Sequence, residues 1–294
     1  MLNSPASFQF KENTMLSYKH GFHSGNHADI LKHMTICLLL RLLNKKEKPY
    51  TVIDTHSGSG LYKLDGFMAQ KNHEYRTGIS KITDNEKLRA LVPEFYEIYE
   101  KVNNEVENSY PGSPMFESGI GREGDRFTFI DLHPSEFENL RNNFKKDKRC
   151  NIQNRDGLEA LKALLPPTPR RGLCVIDPAY EEKNEYIELV KAIKTALGKW
   201  NTGIFAIWYP VLGKLRDHSK NLTQDLRRLN IPLLQAELCI EPQEEVFGMC
   251  GSGMLILNYP YDLDKLLSPV VDELYKALTR KGGSARLKIL TPQP

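Results

Sequence analysis

The stretch YTVIDTHSGSG, residues 50–60, joins a short run of apolar and β-branched residues to a loop of small ones. β-branched residues favour strands, and glycine lets a ligand come close to the backbone. A strand that ends in an acidic residue and a glycine loop is typical of the phosphate- or nucleoside-binding corner of a Rossmann-like sheet. The spacing is incomplete, because Lys63 stands where a third glycine would complete G-x-G-x-x-G. A plain structural turn therefore fits the loop about as well.

Strand-like and helix-like runs alternate outward from this stretch. Asn26 is placed to cap a helix that runs to about residue 45, and a terminal helix is expected to begin near Asp262. Further strands are predicted at 126–132, 150–156, 172–177, 202–210, 234–241 and 253–260. Because strands that alternate with helices build parallel βαβ units, we expect an α/β fold with a doubly wound, Rossmann-like sheet.

One segment, residues 61–111, interrupts this alternation and contains no convincing strand. Its apolar residues fall at helical spacing: Leu88, Leu91, Val92, Phe95, Tyr99 and Val102. We therefore predict an inserted helical subdomain at 61–111, with a kink or break at Pro93. Residues 1–14 are predicted to be a flexible leader, with Met15 as an alternative start. The main domain is then expected to comprise residues 15–60 and 112–294.

The composition limits the classes of protein that this chain can belong to. Its 294 residues contain no apolar run that approaches a membrane span, and we find no signal-peptide pattern. Five scattered cysteines argue against a disulfide scaffold and for a reducing cytoplasm. A formal net charge of +3 permits a nucleic-acid partner without requiring one. We expect a cytoplasmic monomer that does not bind a membrane.

Two predicted strands end in corners that suit a nucleoside. Asp131 closes the strand at 126–132 and could accept hydrogen bonds from both ribose hydroxyls. Asp156 and Gly157 follow the next strand, where the carboxylate could receive an adenine amine and the glycine could leave room for the ring. Taken singly, Asp131 fits a role in a turn about equally well.

The strand at 172–177 ends in Asp177, Pro178, Ala179 and Tyr180. The exocyclic amine of a nucleobase is a poor nucleophile, because its lone pair is delocalised into the ring. A carboxylate that accepts one N–H and a backbone carbonyl that accepts the other would favour a pyramidal nitrogen. The Asp177 side chain and the Pro178 carbonyl could provide this arrangement, and Tyr180 could stack on the base. The corner would therefore suit the attack of such an amine on an electrophilic methyl group.

The sequence resembles the ribosomal large-subunit methyltransferase J family. The similarity rests on LSYKHGFHSGNHADILKH (16–33), on DTHSGSG, YPGSP and WYP, and on a corner like the D/N-P-P-Y/F signature of amine methyltransferases. It implies a class I methyltransferase fold and transfer of methyl from S-adenosyl-L-methionine to N6 of a single adenine in 23S rRNA. The corner departs from the signature at Ala179, which replaces a proline that would restrict residue 178.

The resemblance also implies a role for individual residues. The catalytic set is Asp177, Pro178 and Tyr180. Cofactor contacts are expected from Lys32, His33, His56, Ser113, Asp131, Asp156, Gly157 and Asp177. Tyr18 and His20 are expected to receive the substrate RNA.

Three alternatives compete with this reading. Histidines 20, 23, 27 and 33 could indicate a metal site, but their spacing is unlike known zinc motifs and no cysteine pair joins them, so we expect no metal. A DNA adenine-N6 methyltransferase remains open, although only 61–111 could serve as a target-recognition domain. The third alternative is a non-catalytic RNA-binding protein, in which Ala179 would mark a decayed site.

Overall fold

The computed structural model describes residues 19–244 and 248–293, so the leader and Tyr18 lie outside the described residues. The strands are β1 (Thr51–Asp54), β2 (Leu61–Lys63), β3 (Ser109–Pro111), β4 (Arg126–Asp131), β5 (Cys150–Asn154), β6 (Gly172–Ile176), β7 (Ile204–Leu212), β8 (Leu233–Cys239), β9 (Met249–Leu257) and β10 (Ser284–Thr291). The α-helices are α1 (His27–Asn44), α2 (Phe67–Asn72), α3 (Ile79–Ile82), α4 (Glu86–Leu91), α5 (Pro93–Glu105), α6 (Ser113–Ile120), α7 (Pro134–Phe144), α8 (Gly157–Leu164), α9 (Lys183–Lys199), α10 (Ser219–Arg227) and α11 (Leu263–Leu278). Short 3-10 turns span His20–Phe22 and Glu74–Thr77.

Eight of these strands form one mixed sheet in the order β10-β8-β9-β7-β6-β1-β4-β5. The strands from β7 to β5 are parallel, as predicted. The three at the other edge, β9, β8 and β10, are antiparallel. The chain leaves β1 towards β4 and β5 and then returns to β6 on the other side of β1. This reversal opens a crevice at the carboxyl ends of the strands, and the Rossmann-like α/β prediction is confirmed.

Alternate residues of each central strand enter two separate hydrophobic cores. Val52 of β1 packs in the core that contains α1, α6, α7 and α11, whereas Ile53 packs in the core that contains α8, α9 and α10. Side chains of successive strand residues point to opposite faces, so a strand buried on both faces is apolar throughout. Both faces of the central sheet are therefore covered by helices.

Helix α1 begins where the sequence predicted. The Asn26 side chain accepts hydrogen bonds from the N–H groups of Ala28 and Asp29, both at 3.0 Å, which confirms the cap. Nearly every residue of α1 is buried, which is typical of a helix in the middle of a large core. Its first turns carry Lys32 and His33 to the crevice in the sheet.

The segment 61–111 begins and ends with a strand pair that the sequence did not predict. Strands β2 and β3 are antiparallel and pair Leu61 with Pro111. Each has three residues, which is too short for a period-two pattern to be visible. Helix α4 ends at Leu91 and α5 begins at Pro93, so the predicted break is confirmed. The division of the chain into a main domain and an insertion stays a prediction.

None of the described helices is both long enough and apolar enough to cross a lipid bilayer.

Candidate active site

Two cavities lie side by side at the carboxyl ends of the parallel strands. The first is lined by the loops that follow β1, β4, β5 and β6 and by the start of α6. The second, of about 450 Å³, is lined by residues of the 20–29 segment and by ends of β7 and β9. Both are lined by His20, Lys32, Asp177, Pro178 and Ala179. The corner that follows β6 is therefore the wall between the two cavities.

The loop after β1 needs glycine for a steric reason. Gly58 has a φ of 57°, and a Cβ there would lie 1.9 Å from the hydroxyl oxygen of Tyr62. The Ser59 N–H donates to that hydroxyl oxygen at 2.9 Å, which tightens the turn. The Gly58 N–H donates to Asp131 Oδ2 at 2.8 Å and so links the loop to the end of β4.

Asp131 lines the first cavity, and its predicted contact with ribose hydroxyls stays a prediction. Its Oδ2 accepts the Gly58 N–H, and its Oδ1 accepts the His133 N–H at 2.8 Å. Burial raises the pKa of this carboxyl to about 6. A carboxylate has about four acceptor sites, so each oxygen can still accept a hydrogen bond from a ligand hydroxyl.

Asp156 and Gly157 also line the first cavity, and each has a local structural role. Asp156 caps α8 by accepting the Glu159 N–H at 2.7 Å. A Cβ on Gly157 would lie 2.2 Å from the Thr55 carbonyl oxygen. The glycine therefore allows α8 to approach the loop after β1, a requirement that is separate from the predicted room for an adenine ring.

His33 lines the same cavity, and one of its ring nitrogens is unpaired within the described residues. Its Nδ1 lies 2.8 Å from the Tyr110 hydroxyl, whereas Nε2 is buried and has no hydrogen-bond partner among the described residues. Burial holds the pKa of His33 well below its usual range, so the ring is neutral. An unpaired buried polar atom costs free energy, which a ligand with a matching group would recover.

Ser113 and His56 meet at Asp54, a residue to which the sequence analysis gave no role. The Ser113 hydroxyl donates to Asp54 Oδ2 at 2.6 Å, and the His56 N–H donates to Oδ1 at 3.1 Å. Asp54 is fully buried, and burial raises its pKa to about 6. Its position as the acidic residue that closes β1 was the one available signal.

Lys32 contacts the predicted catalytic carboxylate. Its Nζ lies 2.6 Å from Asp177 Oδ2 and 2.9 Å from Asp29 Oδ1, and its side chain is almost fully buried. Burial acts to lower the pKa of Lys32, but the two carboxylates raise it above its usual value, so the ammonium is charged. Its predicted contact with the cofactor stays a prediction.

Asp29 extends this network towards the N-terminal segment. His20 Nε2 lies 2.9 Å from Asp29 Oδ2, and the Gly25 N–H donates to the same oxygen at 2.8 Å. Asp29 was not among the site residues expected from the sequence. His20, predicted to receive RNA, is thus connected through Asp29 and Lys32 to Asp177.

Tyr180 is fixed at both its backbone and its hydroxyl. Its φ of 53° lies in the left-handed region, and its hydroxyl donates to the Trp208 carbonyl at 2.6 Å. The ring packs 4.4 Å from that of Tyr186 and is 7% exposed, so little of it is free. Tyr180 lines the second cavity, and its predicted stacking on a base stays a prediction.

Within residues 19–244 and 248–293, no group of three His, Cys, Asp or Glu side chains is placed to hold a metal ion. The two histidines of α1 make hydrogen-bond contacts with other side chains. His27 contacts Thr77, and His33 contacts Tyr110.

Comparison with known proteins identifies the family. A family model described as "Ribosomal RNA large subunit methyltransferase D, RlmJ" matches residues 47–291. Ribosomal RNA large subunit methyltransferase J of Escherichia coli (strain K12) is 39% identical over 95% of this chain and 100% of that protein. The Haemophilus influenzae protein of the same name is also 39% identical over 95% of this chain and 100% of its own length.

A crystal structure of a Legionella pneumophila protein is similar throughout. It has a TM-score of 0.83 at 35% sequence identity, covering 91% of this chain and 98% of that one. The family model and both relatives span most of the chain, which confirms the resemblance drawn from its motifs. The chain belongs to the ribosomal RNA large subunit methyltransferase J family.

Proposed function

We propose that this protein transfers a methyl group from S-adenosyl-L-methionine to N6 of a single adenine in 23S rRNA. The observation that carries this proposal is the wall shared by the two cavities, Asp177 to Ala179. A methyl donor on one side and a base on the other would meet at the carboxylate of Asp177. The names of the two relatives, large subunit ribosomal RNA methyltransferases, support the choice of substrate.

The groups of the first cavity fit S-adenosyl-L-methionine, which supplies an electrophilic methyl group when bound. Asp131 retains acceptor sites for ribose hydroxyls, and the unpaired Nε2 of His33 can pair with a polar group of the methionine part. His56, Ser113, Asp156 and Gly157 complete the proposed contacts, and all four line the cavity. The cavity is lined by one lysine, which is paired with Asp177, and by several carboxylates, and this balance suits a ligand with a positively charged sulfur.

Asp177 has one oxygen free to accept a hydrogen bond from an amine N–H. Its Oδ2 is held by Lys32, whereas no hydrogen bond from any described residue reaches Oδ1. In the proposed reaction, Oδ1 and the Pro178 carbonyl accept the two N–H groups of adenine N6. The amine lone pair then points at the methyl group. Formation of the N–C bond would break the methyl–sulfur bond and leave S-adenosylhomocysteine, and N6 would then give up one of its two protons. The two acceptors position the nitrogen and stabilise the positive charge that develops on it, with no covalent intermediate.

The second cavity is the proposed pocket for the target adenosine. It lies on the side of the corner opposite the cofactor groups, and Tyr180 and Trp208 give it an aromatic wall. An enzyme that modifies a base must take it out of the stack and into such a pocket. We further propose that the protein works as a monomer in the cytoplasm, which light scattering and cell fractionation can test.

The direct test is methylation of 23S rRNA and of duplex DNA with labelled S-adenosyl-L-methionine. Mass-mapped digests should place one methyl group on N6 of one adenine in the rRNA and none in the DNA. Labelled DNA with unlabelled rRNA would favour the DNA adenine methyltransferase instead. Binding of rRNA and cofactor without any transfer would favour a non-catalytic RNA-binding protein.

A further inference from the structure

The corner between the cavities contains a backbone conformation that needs support. Tyr180 has a φ of 53°, in a region that glycine and asparagine adopt easily and that bulky side chains rarely do. Such a residue stays in this conformation only when the surrounding contacts impose it, and cases of this kind cluster at functional sites. Tyr180 is three residues from Asp177, so whatever imposes its conformation also shapes the corner.

One carboxylate of α9 supplies much of that support. Glu185 Oε2 accepts the Tyr180 N–H at 2.8 Å, and Glu185 Oε1 accepts the Glu182 N–H at 2.9 Å. Hydrogen bonds to an ionised acceptor are stronger than neutral ones. At its other end, Tyr180 is held by the bond from its hydroxyl to the Trp208 carbonyl.

This chain has a specific need for such a clamp. Ala179 stands where the related signature has a second proline, and a proline at 179 would confine residue 178 to extended backbone. Alanine imposes no such restriction. The direction of the Pro178 carbonyl therefore depends more on hydrogen bonds that hold the residues after it.

We propose that Glu185 is a positioning residue that holds residues 177–180 in the geometry needed for methyl transfer. It takes over part of the constraint that a second proline would provide. The inference rests on the proposed function, because the Pro178 carbonyl matters only if it faces an amine.

The test compares E185Q with wild type in single-turnover methyl transfer to an rRNA fragment. Glutamine keeps one acceptor oxygen but turns an NH2 group towards the second backbone N–H, so one bond is lost and two donors face each other. We expect the transfer rate to fall at least tenfold. Affinity for S-adenosylhomocysteine should change less than threefold, and thermal unfolding should show a folded protein.

E188Q is the matched control for loss of charge. Glu188 lies on the same helix, and its carboxylate accepts a hydrogen bond from the Asn184 side chain at 2.6 Å. Neither the Tyr180 N–H nor the Glu182 N–H donates to the Glu188 carboxylate. The transfer rate must fall at least fivefold further in E185Q than in E188Q. Equal rates in the two variants would overturn the proposal.

Ala179→Pro supplies the second arm. The Ala179 N–H makes no hydrogen bond with a described residue, so proline removes no such bond. In the E185Q background the proline should restore at least half of the lost rate on a logarithmic scale, with A179P alone measured as the reference for the effect of the proline itself. A deficit in E185Q that proline leaves unchanged would contradict the proposed clamp.

If E185Q alone does not fold, the transfer rate of the double variant E185Q/A179P is compared with that of A179P. A double variant that is tenfold slower than A179P overturns the proposal. If wild type transfers no methyl group to any rRNA fragment, the proposed function fails, and this inference fails with it.

Discussion

Asp177 owes its environment to residues that are distant in sequence. Lys32, 145 positions earlier, binds one oxygen of its carboxylate and leaves the other open. A buried lysine between two carboxylates is costly to desolvate but strongly paired, and removing the lysine would leave both carboxylates without this partner. The arrangement keeps Asp177 in one orientation at the end of β6.

Asp131 gives a prediction at the same scale. Its pKa is raised to about 6 by burial, and the ionised form is the better acceptor for ribose hydroxyls. Affinity for S-adenosylhomocysteine should therefore fall as pH drops from 7.5 to 5. D131N should weaken binding at pH 7.5 by about 1–3 kcal/mol and flatten the dependence on pH, as measured by calorimetry.

The flattening should be partial, because burial also raises to about 6 the pKa of Asp54, which holds Ser113 and the His56 N–H behind the lining of the same cavity. An unchanged pH profile in D131N would exclude Asp131 from the titration. The stability of the fold should depend on pH in the opposite direction to the affinity for the ligand. A raised carboxyl pKa means that the native state binds the proton more tightly, so Asp131 costs stability as pH rises from about 3.8 to about 6.

The sequence identified residues at strand ends better than residues that meet across the fold. Asp131, Asp156 and Asp177 follow from the rule that ligands bind at the carboxyl ends of parallel strands. Lys32, His33, His56 and Ser113 were reached only through the family resemblance. The clamp by Glu185 was missed, since neither composition nor periodicity shows which carboxylate will accept a turn's N–H groups.

At the scale of elements, the turn Glu74–Thr77 ties the segment 61–111 to the start of α1. Glu74 Oε1 lies 2.9 Å from His23 Nδ1, and its Oε2 accepts a hydrogen bond from the Asn26 side chain at 3.0 Å. His27 is bound in the same way by Thr77. The segment thus supports residues that line the second cavity.

The pair of Glu74 and His23 should stabilise the protein over a defined pH range. Burial acts to lower the pKa of His23, but the hydrogen bond and charge of Glu74 raise it above 6.5 overall. The pKa of Glu74 is lowered from 4.5, chiefly by the bonds from His23 and Asn26 against the effect of burial. The pair is therefore strongest between about pH 4.5 and 6.5, and its contribution is lost as pH rises through the pKa of His23.

E74Q should lower the midpoint of thermal unfolding more at pH 5.5 than at pH 8.5. Both side chains are about one-third exposed. We therefore expect the loss in free energy of unfolding to differ between the two pH values by only about 0.5–1 kcal/mol. E100Q is the matched control, because Glu100 pairs with Arg89 in the same segment and neither partner is a histidine. An equal effect of E74Q at the two pH values would rule out the charged pair.

The elements were predicted well where a pattern was long and poorly where it was short or incomplete. The break at Pro93 follows from the missing N–H of proline. Strands β2 and β3 have three residues each and show no period. Strand β10 was missed although Ala285, Leu287 and Ile289 alternate with polar residues, which is the period-two signal of an edge strand.

At the scale of the whole molecule, the topology explains why two cavities share one wall. Strands β4 and β5 lie on one side of β1 and build the side proposed for the cofactor, whereas β6, β7 and β9 lie on the other. The N-terminal segment and α1 cover the second side and bring His20 to the junction. The parallel half of this layout was predictable, and the antiparallel edge was not, because alternation of helices and strands carries no information on strand direction there.

Two truncations test the N-terminal segment in this layout. Removal of residues 1–14 should leave methyl transfer intact. Removal of residues 1–22 deletes His20 and its contact with Asp29, and should abolish turnover while the midpoint of thermal unfolding stays within a few degrees. Equal activity of the two proteins would remove the segment from the mechanism.

The central claim is that Asp177 holds an adenine amine against the methyl donor at the wall between the cavities. The most direct measurement is the single-turnover rate of methyl transfer to 23S rRNA by wild type, D177A and D177N. D177A should be slower by on the order of a thousandfold while the protein stays folded, because positioning and a charged acceptor are both lost. D177N should keep only partial activity, since its single amide oxygen can accept either the Lys32 ammonium or one N–H of the amine, but not both in the wild-type geometry. A wild-type rate in D177A would contradict the account.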